Sequence, residues 1–243
     1  MTSGYTEAER RLRAIVRAFL SPGVWLVVAA QFLAQFALRQ GVPTGESGPD
    51  LPRTLLFSAL MMGFVYLQAG AYHGLAKGSD RLTLREVATP GVALFARFLW
   101  LFLKLGVSAA LVFNLFALAL LGGVGVSPDA LVRQFAPYLP MLLAVLGLAF
   151  VYWLPLVFVT DDFRLFATWR RALRTAWQRL PQSGFLAALL IAPVVLLLLL
   201  PEAVPEVLLL SLSTLASLLG WIVYIYCVEW LRDHPPEDAS AAG

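Results

Sequence analysis

Side chains fit for metal binding or covalent chemistry are scarce in this sequence. One cysteine, Cys227, and two histidines, His73 and His234, are spread over 243 residues. A lone cysteine excludes a disulfide framework and a thiolate cluster, and one histidine per region falls short of the three or four ligands of a usual metal site. Charge is scarce as well. Only 14% of residues are Asp, Glu, Lys or Arg, against about 25% in soluble domains. The net charge of +3 is too small to point to nucleic acid.

Apolar residues fill the space that charge leaves, at 60% of the chain with a mean hydropathy of +0.78. They fall into blocks long enough to cross a hydrocarbon core, which takes about 20 residues per helix. The blocks predict an all-α integral membrane protein with six transmembrane helices in one domain over 1–235, followed by a flexible tail at 236–243. The spans are expected at about 24–38, 54–76, 98–121, 141–159, 184–200 and 207–230. The apolar run from Val92 to Val124 is too long for one upright helix, so an interfacial or tilted beginning is expected around Arg97 and Lys104. Within the loop Gly122–Pro140 a short helix is expected, capped by Ser127.

Two segments read as helices lying in the headgroup layer. Over 6–20, Thr6 and Glu9 form a capping box, Leu12, Ile15, Val16, Phe19 and Leu20 share one face, and Arg10, Arg13 and Arg17 take the other. Over 161–180, Phe166, Trp169, Leu173 and Trp177 make the apolar stripe, with Arg164, Arg171 and Arg174 opposite. Thr83 and Glu86 repeat the capping box before the third span. Thr6, Thr83 and Thr160 are evenly spaced, which suggests three hairpins, each preceded by an amphipathic segment.

Lysine and arginine set the topology. Arg10, Arg11, Arg13 and Arg17, then Lys77, Arg81, Arg85 and Arg97, then Arg164 to Arg179, and finally Arg232 fall on one side; only Arg39, Arg53 and Arg133 fall on the other. Both termini are therefore expected in the cytoplasm. A charged amphipathic stretch precedes the first apolar block and no A-x-A site follows it, so a cleaved signal peptide is not expected.

The layout resembles a six-helix bacterial inner-membrane family. That family includes the membrane domain of some glycerophosphodiester phosphodiesterases and uncharacterised relatives. The likeness is carried by Trp153, Leu154 and Pro155, then Asp161 and Asp162, then the run Trp169–Gly184 (WRRALRTAWQRLPQSG), and by Leu82–Val87 (LTLREV). It implies a six-span fold in a bacterial cytoplasmic membrane and no catalytic residue. Asn114 as the sole asparagine, beside abundant Leu, Ala, Val and Arg, also fits GC-rich bacterial coding.

Few residues stand out as candidate sites. Gln31, Gln35 and Arg39 share one face of the first span; they line a polar path or bind a headgroup, or else the glutamines hydrogen-bond a neighbouring helix. Asn114 lies deep enough to bridge helices or touch a ligand. Gly63, Gly70 and Gly74 mark a small-residue face for helix packing, as do Ser213, Ser217 and Gly220. His73 is a weak candidate for haem, pigment or metal, without company. Arg97 and Lys104 are seven apart and reach anionic lipid by snorkelling. Asp161 and Asp162 are explained by helix capping, and no P-loop, G-x-S-x-G, H-E-x-x-H or C-x-x-C motif occurs.

These features predict a non-catalytic protein with no cofactor, an accessory or scaffolding subunit of a membrane complex or an organiser of lipid. Its partners would be the bilayer, anionic inner-leaflet lipids, and another membrane protein or a second copy. A small transporter or permease component is the first alternative, resting on Pro155, Pro193 and the glutamines. A pigment- or haem-binding subunit, resting on His73, is the second.

Overall fold

The computed structural model describes residues 6–41, 51–121, 139–199 and 205–235. The expected short helix after Ser127, the loop over 42–50, most of the turn before Glu206 and the tail at 236–243 lie outside the described residues. The described residues are almost wholly helical: α1 (Glu7–Leu20), α2 (Pro22–Gly41), α3 (Leu51–Lys77), α4 (Leu84–Ala88), α5 (Val92–Leu121), α6 (Leu139–Thr160), α7 (Leu165–Gln178), α8 (Leu180–Leu199) and α9 (Glu206–Asp233).

Local sequence explains where these helices start and stop. At α1, Thr6 Oγ1 accepts from the Glu9 amide and the Glu9 carboxylate accepts from the Thr6 amide; Thr83 and Glu86 repeat the arrangement at α4. Each box satisfies two amides that have no partner inside the helix. Proline opens α2, at the one helical position where its missing N–H costs nothing. α3 closes with Gly78 at φ +101° and a Ser79 amide donating to the Gly74 carbonyl. α6 closes the same way with Asp161 at φ +50° and the Asp162 amide donating to Val157. Both are Schellman endings, one using glycine and one an aspartate in the left-handed region.

Among the described residues, three helices are long and apolar enough to cross a membrane: Thr54–Lys77, Val92–Val112 and Val207–Asp233. Two bent pairs, α1 with α2 at 67° and α7 with α8 at 112°, raise the number to five if each pair counts as one span. Val145–Thr160 is a shorter apolar helix. The protein is thus all-helical with three to five candidate membrane spans. The run from Val92 through Arg97 and Lys104 forms one uninterrupted helix, α5. Helix also continues through Pro155 in α6 and Pro193 in α8.

The packing follows a cyclic rule. α3, α6 and α9 contact one another at the centre. Each amphipathic helix lies on the central helix before it: α4 on α3, α7 on α6, and α1 on α9, which closes the circle. Each central helix also meets the long helix that follows the next amphipathic one: α5 on α3, α8 on α6, and α2 on α9. At the middle, Tyr72 of α3 stands 5.5 Å from Phe158 of α6 and 4.7 Å from both Trp221 and Tyr224 of α9. The Tyr224 hydroxyl donates to the Tyr72 carbonyl at 2.8 Å. These rings fill the place where the three central helices meet.

One seam departs from the rule. α2 packs closely along α3, and α8 along α9. By contrast α5 meets α6 through Phe98 against Phe158, at 5.5 Å, near its N-terminal end. From Gly106 to Leu115 every described side chain of α5 except Ser108 is exposed.

Candidate functional site

The functional chemistry gathers at the end of the molecule that holds α1, α4, α7 and the C-termini of the central helices. α1 sits on α9 through charge. Arg10 pairs with Asp233 at 2.8 Å, Arg17 pairs with Glu229 at 2.5 Å, and the Tyr226 hydroxyl donates to Glu7 at 2.7 Å. That last bond, together with Arg11 and Arg179, holds the Glu7 carboxyl below the usual glutamate range, against the opposing effect of its burial. Arg17 also donates to the Ser79 carbonyl at 2.6 Å, so α1 is tied to the end of α3 as well. Each of its two amino groups is thereby engaged, and its Nε is buried without a partner among the described residues.

Arg232 caps another helix's carbonyls. It donates to Leu75 and Ala76 at the C-terminus of α3, where a guanidinium meets the negative end of the helix dipole. Gly78 leaves room for it, since a Cβ there would lie 3.0 Å from the guanidinium nitrogens. Together with Arg10, Arg13, Arg17, Asp80 and Glu229, Arg232 lines a polar cleft of about 360 Å³. Two ion pairs, Arg10–Asp233 and Arg17–Glu229, and the Arg232 bonds to α3 make it a brace between α1, α3 and α9.

Both amphipathic helices pack with their small side chains inward. α1 buries Ala14 and Ala18, with Arg10 between the chain and α9, while Leu12, Ile15, Val16, Phe19 and Leu20 are exposed. α7 buries Leu165, Thr168, Ala172 and Ala176, and leaves Phe166 78% and Trp177 77% exposed. Trp153 of α6 donates its indole N–H to Thr168 at 3.0 Å inside that contact. Arg10 and Arg17, expected at lipid headgroups, are therefore turned into the protein, because Asp233 and Glu229 on α9 supply carboxylates there. Arg171 likewise reaches Asp162 at 3.4 Å. Arg174 remains exposed on α7 beside the bulky stripe.

Asp161 and Asp162 act as ion-pair partners. Asp161 meets Arg97 at 3.2 Å, and Arg97 also covers the Phe163 ring at 4.8 Å. Asp162 takes two hydrogen bonds from the Arg164 side chain at 2.9 Å each and one from the Arg164 amide. Those bonds hold its carboxyl below the usual aspartate range, opposed by burial. With both carboxylates engaged by arginines, neither stands ready as a general base.

The polar residues of the first span are matched to α9. Ser217 donates to the Gln31 side chain and Ser213 to that of Gln35, each at 2.6 Å. They form a two-rung ladder between α2 and α9. Arg39 belongs to α2, with its side chain outside the described residues. Asn114 donates to the Ala110 carbonyl of its own helix at 2.7 Å and is exposed. His73 is half-buried on α3, and among the described residues no group of three His, Cys, Asp or Glu is placed to hold a metal.

The glycines of α3, expected at a close helix contact, receive the strap that carries α4. A Cβ on Gly70 would lie 2.1 Å from the Val87 carbonyl oxygen, and one on Gly74 would lie 2.4 Å from Leu82. Leu82 is clasped in turn: its amide donates to Ser21 Oγ at 3.2 Å and its carbonyl accepts from the Gly23 amide at 2.9 Å. Gly63 meets nothing within 4 Å, and Gly220 meets Leu190 at an ordinary 3.9 Å. Sequence reasoning missed Tyr226, Glu229 and Asp233 as the anchor for α1, and Arg232 as the cap of α3. Their signal was the cluster of charge in the last turns of an otherwise apolar helix.

A second depression lies between α5 and α7, a groove of about 500 Å³ with mostly apolar walls. Trp100, Lys104, Val107, Arg164 and Phe166 are among its lining residues. No family model, curated protein or solved structure matches the chain.

Proposed function

We propose that this chain is a non-catalytic, six-span protein of the bacterial cytoplasmic membrane that gathers anionic lipid on the inner leaflet. Three hairpins, α2–α3, α5–α6 and α8–α9, surround the axis defined by α3, α6 and α9, and both termini are cytoplasmic. The lysine and arginine asymmetry and the cyclic packing support this topology. So does the inventory of apolar helices, if the short α6 is counted with the three long helices and the two bent pairs.

The observation that carries the functional reading is the orientation of α1 and α7. Each helix spends its alanines on the protein and presents bulky apolar side chains outward. On α7, the exposed Arg170 and Arg174 flank that outward face. A helix of this kind inserts its apolar face between acyl chains while its arginines meet lipid phosphates. The protein would scaffold a patch of lipid or a neighbouring membrane subunit. The aromatic cluster at Tyr72 and the serine-satisfied Gln31 and Gln35 favour this over a permease with a midplane path.

Reconstitution in vesicles of mixed phosphatidylglycerol and phosphatidylcholine tests the reading. Fluorescently labelled phosphatidylglycerol should be enriched around the wild type, and the enrichment should fall severalfold in Arg170→Gln/Arg174→Gln. Equal enrichment of both lipids around the wild type would overturn it. For topology, Ser47→Cys, Ala130→Cys and Ala203→Cys should be labelled from the outside of intact cells, and Asp80→Cys should not.

A further inference from the structure

The groove between α5 and α7 is the place where the cyclic packing stays open. At the corresponding seam between α2 and α4, Leu82 and Val87 come so close to Gly23 that a Cβ there would lie within 2.9 Å of either side chain. At the seam between α8 and α1, Arg11 covers the Phe185 ring at 5.3 Å. At the α5–α7 seam, Trp100 and Phe166 are both exposed, and from Gly106 to Leu115 every described side chain of α5 except Ser108 is exposed. From the geometry we infer that this groove holds one phospholipid with an anionic headgroup, drawn from the inner leaflet. The inference rests on the membrane reading given above and adds a defined site and a lipid class to it.

Charge selects the occupant. Lys104 forms no ion pair among the described residues. Its ammonium lies 5.4 Å from the centre of the Trp100 ring, one turn back toward the start of α5, the posture of a lysine reaching out of the hydrocarbon toward the headgroups. Arg164 is held by the fork of Asp162 at 2.9 Å on two nitrogens, yet its side chain is 75% exposed. A guanidinium carries five N–H donors, so three remain for a phosphate after Asp162 has taken two. Lys104 and Arg164 are the charged residues that line the groove, and Asp162, which pairs with Arg164, is shared with Arg171. The lining thus holds two bases and no acid, an excess of positive charge. An anionic headgroup neutralises that excess. A zwitterionic one brings its own ammonium against it.

The walls below the rim suit acyl chains. Leu103 and Val107 continue along α5 from Lys104 and are exposed, and Phe166 faces them from α7. Basic pockets between helices on the cytoplasmic side are suited to anionic lipid headgroups for these reasons. A protein partner would leave Lys104 without a counter-charge unless it brought its own.

Native mass spectrometry of the full chain, released from nanodiscs of equal phosphatidylglycerol and phosphatidylcholine, tests the site. The wild type should retain one phosphatidylglycerol per chain at energies that strip phosphatidylcholine. Lys104→Gln should lower the retained fraction about fivefold. Val107→Trp, which fills the groove without touching charge, should lower it as well, and Arg81→Gln, an exposed base outside the groove, should not. Elution as a single species with unchanged helicity confirms that each variant is folded. Equal retention in Lys104→Gln and wild type, or no preference between the two lipids in the wild type, overturns the site. The vesicle enrichment assay on the same variants separates the two failures. Enrichment that persists without a retained lipid defeats only the groove, whereas loss of enrichment in the wild type defeats the lipid-gathering reading itself.

Discussion

Arg17 of α1 and Glu229 of α9 form an ion pair at 2.5 Å, with side chains only 12% and 13% exposed. Arg232 on the next turn of α9 adds a second guanidinium to the same layer, so Glu229 serves two neighbouring positive charges. Removing one partner of such a pair leaves an uncompensated charge. Glu229→Gln should destabilise the protein by about 3 kcal/mol, read as a lower unfolding temperature in detergent. The exchange Arg17→Glu/Glu229→Arg should recover part of the loss, because it restores the pair.

Gly70 and Gly63 lie on the same helix and should behave oppositely. Gly70→Ala places a methyl within 2.1 Å of the Val87 carbonyl, which is backbone and cannot swing away. We expect a loss of on the order of 3 kcal/mol as α4 is pushed off α3. Gly63→Ala meets open space and should leave the unfolding temperature unchanged. Equal effects would contradict the strap arrangement.

Acid should loosen the α6–α7 corner. The Asp162 carboxyl is held below its ordinary value by the Arg164 hydrogen bonds. A depressed carboxyl contributes stability that is complete above its unfolded value and is lost as pH falls through the folded one. The unfolding temperature of the wild type should therefore decline below about pH 4. Asp162→Asn should be less stable at pH 7 and show a shallower decline, measured by thermal unfolding across pH 3 to 7.

The ladder between α2 and α9 has a small but separable energy. Gln31→Leu and Ser217→Ala should each cost about 1 kcal/mol, and the double variant should cost less than their sum. Strict additivity in that cycle would mean that the hydrogen bond at 2.6 Å contributes nothing.

Depth is measurable because the native Cys227 is fully buried. A spin label at Trp177→Cys or Leu12→Cys should report immersion just below the phosphates, and one at Arg174→Cys should report a position at them. Labels at all three sites that remain in water would remove the lipid-facing assignment of α1 and α7.

Much of the helical layout was legible in the sequence, for identifiable reasons. Thr6 with Glu9 and Thr83 with Glu86 announce helix starts through local hydrogen bonds, and the structure makes both boxes. Pro22 opens α2 for an equally local reason. Whether the beginning of the run at Val92 continues straight into the third span was not legible, and the structure joins the two in one helix. Hydropathy locates hydrocarbon, whereas helix continues wherever its own backbone bonds can form.

The sequence by itself determined that this chain is helical, apolar in long blocks and basic on alternate connections. Periodicity, capping and charge are properties of neighbouring residues, and these set the elements and their amphipathic faces. Only the tertiary structure decided which way α1 and α7 turn. Their alanine-lined sides can approach α9 and α6 closely, and Asp233 and Glu229 wait there for Arg10 and Arg17 from more than 200 residues away in the chain. It also decided that Gly70 and Gly74 receive the α4 strap, and that α5 stands clear of α6 along most of its length. Those outcomes depend on which surfaces fit at close range once the helices are assembled, and spacing along the chain carries no record of that.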